Sequence, residues 1–244
     1  MLKIIADDLG LHERTNEGIV DLLKNRKISG ASLMANGQAF GDAINKIREF
    51  KDNIGIHFVL VDEKSILMGS RLPRNYNHFF IKYLLGFIGS DFIRKEFEAQ
   101  IKKIEEAGIK PSFINSHQHL HLLPAITDII IKIAKDHGLL YIRVVNEPNI
   151  RGHWFRRVQL VVLNLLSDIA RRKIIKAGLR CNDVFIGFLN AGKLSQEDIN
   201  LATKLSDEGK IVELGCHPGY ENEELREKYK HWRYNWQKEH DLIS

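Results

Sequence analysis

KIIADDLG, residues 3–10, sets a short apolar run directly before two consecutive aspartates and a glycine. Branched side chains such as Ile4 and Ile5 favour extended backbone, so the run predicts a buried strand that ends where charge begins. Runs of the same kind recur at Ala31–Ala35, Ile54–Leu60, Ser112–Ser116, Tyr141–Val145, Val184–Phe188 and Ile211–Cys216. With Lys3–Asp7 they make seven. Between them, residues 13–27, 39–50, 77–107, 124–137 and 154–177 carry helical spacing, the fourth opening on Pro124 and closing before Gly138. Strands alternating with helices predict an α/β fold, a (β/α) barrel-like arrangement of mostly parallel strands that is either seven-stranded or incomplete. No repeat or low-complexity linker interrupts the pattern, so residues 1–244 read as one domain.

Composition narrows the function classes. Hydrophobic residues make up 44% and charged residues 27% of the 244 residues, the balance of a globular protein. The first residues lack the pattern of a secretory signal, and no apolar stretch is long enough to span a bilayer. Two cysteines, Cys181 and Cys216, make no disulfide framework. The expected location is the cytoplasm. A net charge of +5 invites a nucleic-acid partner, but the basic residues are dispersed except in Arg151–Lys176 and in the aromatic tail Lys228–Trp236. Both segments read as solvated helix faces, so no nucleic-acid partner is expected.

In a barrel of parallel strands, reactive groups gather where strands end in their carboxyl-side loops. Asp7 and Asp8 end the first run, His57 lies in the third, His117 ends the fourth, Arg143 lies in the fifth and His217 ends the seventh. Paired aspartates repel unless a cation lies between them, although Asp8 also suits a turn toward Gly10. INSHQHLHLLP, residues 114–124, spaces His117, His119 and His121 at alternate positions, which on an extended chain would share one face. Asp8, His57 and His117 form a two-histidine, one-carboxylate set that suits zinc or another transition ion with open positions. His217, before Pro218-Gly219, is placed to give a proton to a leaving amine. Arg143 would orient Asp7, bind an anionic substrate group or form a structural ion pair. Cys216 reads as a small buried residue.

The ordered motifs IIADDLGLHERTNEGI, SLMANGQAF, IGIHFVL, INSHQHLHLLP, VFIGF and VELGCHPGY together resemble the YdjC-like carbohydrate deacetylases. That family includes chitooligosaccharide deacetylases and deacetylase-like proteins of hopanoid biosynthesis. The resemblance covers nearly the whole chain. It implies one divalent ion, usually magnesium, on Asp8, His57 and His117, with Asp7 as catalytic base. It further implies hydrolysis of the N-acetyl group of an N-acetylated sugar or oligosaccharide. His119, His121 and Asn36 of the second motif are then expected to touch substrate or support the ligands. Two departures stand out: Asn115 replaces an aspartate common in relatives, and the chain stops at HDLIS where relatives often continue, so a shortened C-terminus is expected.

Two other readings fit the residues less fully. A metal-dependent phosphoesterase on a β/α barrel would suit the basic surface but usually holds two or more ions. A non-catalytic barrel would bind an anionic polymer through Trp232, Tyr234 and Trp236. Helix 154–177, apolar and arginine-rich, is open to three uses: covering the site, contacting a lipid-linked substrate, or forming a homodimer.

Overall fold

The structure is a computed structural model and is described for residues 1–148 and 154–244. Its centre is β1 (Leu2–Leu9), which pairs in parallel with β2 (Gly30–Leu33) on one side and β6 (Val212–Cys216) on the other. With β3 (Ile54–Phe58), β4 (Ile114–Ser116) and β5 (Val184–Ile186), the sheet runs β4-β3-β2-β1-β6-β5, all parallel. Every residue of β2 through β6 is buried, as expected when helices cover a parallel sheet.

Six strands form where seven runs predicted them. Tyr141–Val145 makes only isolated bridges, Ile114 to Ile142 and Tyr141 to Arg180. Its backbone nevertheless bonds to both edge strands: Arg143 N–H donates to Ile114 C=O at 2.9 Å, Ile142 N–H to Arg180 C=O beside β5 at 2.9 Å, and Phe185 N–H to Asn146 C=O at 3.1 Å. This segment therefore spans the space between edge strands β4 and β5 without joining the ladder. The sheet is a curled half-barrel, the incomplete form of the expected architecture.

The helices follow the sequence spacing with two exceptions. α1 (Glu13–Lys24), α2 (Phe40–Lys46), α5 (Pro124–Asp136) and α6 (Trp154–Lys176) lie within the predicted ranges. Residues 77–107 were expected as one long helical region but form α3 (Tyr76–Leu84) and α4 (Ser90–Glu106), because Gly86, at φ 78°, turns the chain between them. The aromatic tail is not one helix either. α7 (Gln196–Asp207) is followed by α8 (Glu223–Lys228) and α9 (Trp236–Ile243), with residues 229–235 between the last two.

The basic segment on α6 is partly neutralised, Arg171 by Asp183 at 2.5 Å and Lys173 by Asp128 at 2.8 Å. Its outward side exposes Val158, Val161, Val162, Leu165 and Ile169. Arg151 lies outside the described residues. Among the described residues, no helix is long and apolar enough to cross a membrane.

Loops after the strands are pinned by side chains rather than left open. α4 turns Gln100 and Glu96 inward. Gln100 bonds both the N–H and C=O of Val59, at 2.9 and 2.7 Å. Glu96 accepts from Ser65 Oγ at 2.5 Å and from the N–H groups of Ile66 and Leu67 at 3.0 and 3.1 Å. Buried polar groups paired this fully fix the loop that carries Asp62 and Glu63.

Candidate metal centre and catalytic groups

A regular strand points successive side chains to opposite faces, so Asp7 and Asp8 should part company. They do not, because β1 contains a bulge between them. The register to β2 is Ile5 to Gly30 and Ala6 to Ala31, but Leu9 meets Leu33, which leaves one extra residue on β1. Asp8 absorbs the shift at φ 63°, a left-handed conformation uncommon outside glycine. A bulge re-aims side chains. Here it buries both carboxylates, at 3% and 1% exposure, in the same polar interior.

Asp8 meets the two expected histidines. Its Oδ1 lies 3.3 Å from His57 Nε2 and 3.2 Å from His117 Nδ1. One ligand-type atom from each of the three residues lies within 4.8 Å of the others, and all three residues are buried. The tautomer of His57 follows from its other side. Asn115 donates through Nδ2 to Asp7 Oδ1 at 3.1 Å, so its Oδ1 faces His57 Nδ1 at 2.6 Å and must accept. His57 Nδ1 therefore carries a hydrogen, and in the neutral ring the Nε2 lone pair points at a carboxylate oxygen. In that form two acceptors face each other with no donor between them. A cation resolves the conflict, and Asp8 Oδ2, buried without any partner, offers a further lone pair to it.

His117 supplies the third corner. Its Nε2 lies 3.3 Å from Asp62 Oδ2, the outer carboxylate contact that commonly orients a ligand imidazole. Burial alone would lower its pKa, but Asp8 and Asp62 outweigh that and push it up to about 10. The donor set and the orphaned oxygen fit a divalent ion.

Asp7 is completed differently. Arg143 grips it through both terminal nitrogens, at 2.5 and 2.9 Å, while Ser32 Oγ donates at 2.6 Å. Arg143 Nε also bonds Glu213, whose second oxygen accepts from Tyr141 O–H at 3.0 Å. Burial would raise the pKa of Asp7, but Arg143 and His57 hold it well below the usual carboxylate range. Arg143 is fully buried and its ion pairs are with these two acids.

The remaining expected residues spread around this centre. His217, from the loop after β6, has its ring 4.6 Å from that of Tyr234 and its Nδ1 buried without a partner. Glu239 of α9 accepts the His217 backbone N–H at 2.6 Å and lies 3.9 Å from Nδ1. Asn36 donates to Lys64 C=O at 2.9 Å, leaving its Oδ1 buried and unpaired.

The alternating-histidine expectation fails. Residues His117–Leu122 form a tight 3-10 turn with Gln118 and His119 left-handed, so the three rings do not share a strand face. His121 is held in the interior at both ring nitrogens: Ser116 Oγ lies 2.7 Å from its Nδ1, and its Nε2 donates to Arg143 C=O at 2.8 Å. Burial lowers its pKa to about 4 and keeps it neutral. His119 packs against Phe185 and Phe188 with its Nδ1 unpartnered. Cys216 is buried and its thiol is pushed well up by that burial, which suits packing and not attack.

Four contributors escaped the sequence reading. Glu213 gives a signal, a lone acid inside the apolar run VELGC. Asp62 and Ser32 look like ordinary loop and strand residues. Glu239 carries no local signal, because it acts from a helix 22 residues beyond its partner.

A curled parallel sheet that gathers one carboxylate and two imidazoles beside a second, arginine-held carboxylate defines a hydrolase-type half-barrel with a cation-competent centre. The chain belongs to the YdjC-like protein family, whose family model matches residues 1–244. Curated relatives named carbohydrate deacetylase include proteins of Xenopus laevis and Clostridium beijerinckii, 27% and 29% identical over 90% and 88% of this chain and 81% and 80% of theirs. Another, from Brevibacillus brevis, is 31% identical over 66% of this chain and 65% of its own length. A solved structure from Enterococcus faecalis V583, described provisionally as a cellobiose-phosphate cleavage protein, superposes with a TM-score of 0.70 at 19% identity. It covers 100% of this chain and 90% of that one, a likeness of fold. The expected enzyme class, a hydrolase acting on an amide bond, agrees with the relatives' names.

Proposed function

We propose that this protein is a metal-dependent carbohydrate deacetylase, which hydrolyses the amide of an N-acetylated sugar and releases acetate. The observation that carries the reading is the buried Asp8 carboxylate, which faces two imidazole edges and keeps an oxygen with no hydrogen-bond partner. Among the described residues one such three-ligand group is found. That supports a single ion and disfavours the phosphoesterase alternative. Two imidazoles and one carboxylate suit a transition ion better than magnesium, which prefers oxygen ligands.

Asp8, His57 and His117 would hold a divalent ion, which would supply Lewis-acid polarisation to the amide carbonyl and to water. Asp7 accepts the proton of that water. Its hold by Arg143, Ser32 and Asn115 keeps the carboxylate ionised and fixed, at the cost of basicity. A new C–O bond forms as the C–N bond breaks, and His217 gives a proton to the amine nitrogen. The products are acetate and the free amino sugar. Residues 1–244 act together as one catalytic domain in this reading, and the two buried free cysteines suit a reducing compartment such as the cytoplasm.

The test is acetate release from N-acetylglucosamine oligomers by the purified protein. Activity should fall to background with a chelator and return when a divalent ion is restored. Acetate release that ignores chelation would overturn the metal role.

A further inference from the structure

The aromatic tail has a place that its sequence did not reveal. Residues 229–235 cross the mouth of the half-barrel, anchored at each end by a buried ring. Tyr229 and Trp236, 3% and 2% exposed, pack in a small core with Leu11, Met34, Val59, Leu72 and Leu225. Four of these partners lie just past β1, β2 and β3 or in the loop beyond, on the side where the carboxylates emerge. Tyr229 O–H also donates to Glu63 at 3.0 Å.

The two rings between the anchors behave otherwise. Trp232 and Tyr234 are only partly buried, and each lies beside a group of the centre. The Trp232 ring is 4.9 Å from that of His117, the Tyr234 ring is 4.6 Å from that of His217, and the two aromatics are 5.5 Å apart. Gly192 makes the seat for Tyr234: at φ 72° it favours glycine, and a Cβ there would come within 2.1 Å of the tyrosine ring. Trp232 Nε1–H is buried with no acceptor, and His217 Nδ1 likewise makes no hydrogen bond. A native fold rarely leaves buried donors unpaired unless something else pairs them.

We propose that Trp232 and Tyr234 are the sugar-recognition wall of this site. The apolar C–H face of an N-acetylated hexopyranose packs across the two rings, and a hydroxyl or acetamido oxygen accepts from Trp232 Nε1–H. That placement holds the acetamido group between His117 and His217. Flat aromatic surface with one polar handle fits a ligand whose faces are apolar and whose rim is polar. The inference rests on the deacetylase reading and names the residues that read its substrate.

Trp232→Ala, assayed as full-length metal-loaded protein on N-acetylglucosamine oligomers, should raise KM about tenfold or more while kcat moves about threefold or less. Trp232→Phe should recover most of the loss, and metal content should stay at the wild-type level in both. A folded, metal-loaded Trp232→Ala with wild-type KM overturns the proposal. So does a variant whose loss lies in kcat together with metal content, because that pattern means the ring only supports His117.

Should the alanine variant fail to fold, Trp232→Phe and wild type are compared by fluorescence titration with the same oligomers. Sugar should perturb the wild-type emission and leave the variant's unchanged; equal responses overturn the proposal. Wild type that binds sugar without releasing acetate would sink the deacetylase reading alone. Wild type that neither binds nor hydrolyses would sink both.

Discussion

Asp7 and Asp8 are consecutive and both buried, yet the protein completes one itself and leaves the other open to a cation. Asp7 receives a guanidinium, a hydroxyl and an amide. Asp8 receives two imidazole edges and keeps an unpartnered oxygen. A third buried carboxylate, Glu147, shows another solution. It accepts from the N–H groups of Phe188 and Leu189, at 2.7 and 3.3 Å. Burial raises its pKa to about 7 despite those bonds, so a proton completes it over much of the acid range. An acid in the interior is satisfied by an internal cation, a metal or a proton, and which one it takes follows from what faces it.

The comparison breaks most visibly at the two aspartates. Asp8→Asn should lose stoichiometric metal by elemental analysis and bring acetate release to background. Asp7→Asn should keep most of the metal and lose on the order of 10²–10⁴ in kcat. The opposite pattern would mean that ligand and base are exchanged.

Removing the internal cation should act on stability instead. Arg143→Met strands Asp7 and Glu213 as uncompensated buried acids, and denaturant unfolding should register a loss of about 3–5 kcal/mol. A variant as stable as wild type would show that the triad is not what holds the interior.

The smallest effect belongs to Glu147. Its folded pKa lies above the unfolded value of 4.5, so its contribution is complete below that value. As pH rises toward 7, the unfolded chain ionises while the folded one stays protonated, and stability falls by up to about 3 kcal/mol. Glu147→Gln should flatten the stability profile between pH 4.5 and 7. An unchanged slope in that window would place the titration elsewhere.

Much of this was legible because parallel strands have one chemical end. Once Lys3–Asp7, Ile54–Leu60 and Ser112–Ser116 read as strands, Asp8, His57 and His117 had to emerge on the same side, and they lie together. Arg143 and His217 were legible for the same reason. Glu213 was overlooked inside VELGC because an acid in a strand announces nothing until its partner, 70 residues away, is known. The histidine alternation misled because periodicity assumes regular backbone, and Gln118 and His119 leave it for the left-handed region. Tyr141–Val145 has strand composition but only single bridges, since its neighbours on both sides are short.

By itself the sequence determined the alternation of strands and helices, the apolar interior and the identities of the residues that meet at the carboxyl ends. Those are local properties of branching, spacing and polarity. Only the tertiary structure decided that a bulge in β1 turns both aspartates inward, that Arg143 joins Asp7 to Glu213, and that residues 229–235 close over the mouth. Each depends on register or on contacts between distant segments, and side-chain chemistry along a chain does not encode which of many distant partners a folded backbone will bring within hydrogen-bonding reach.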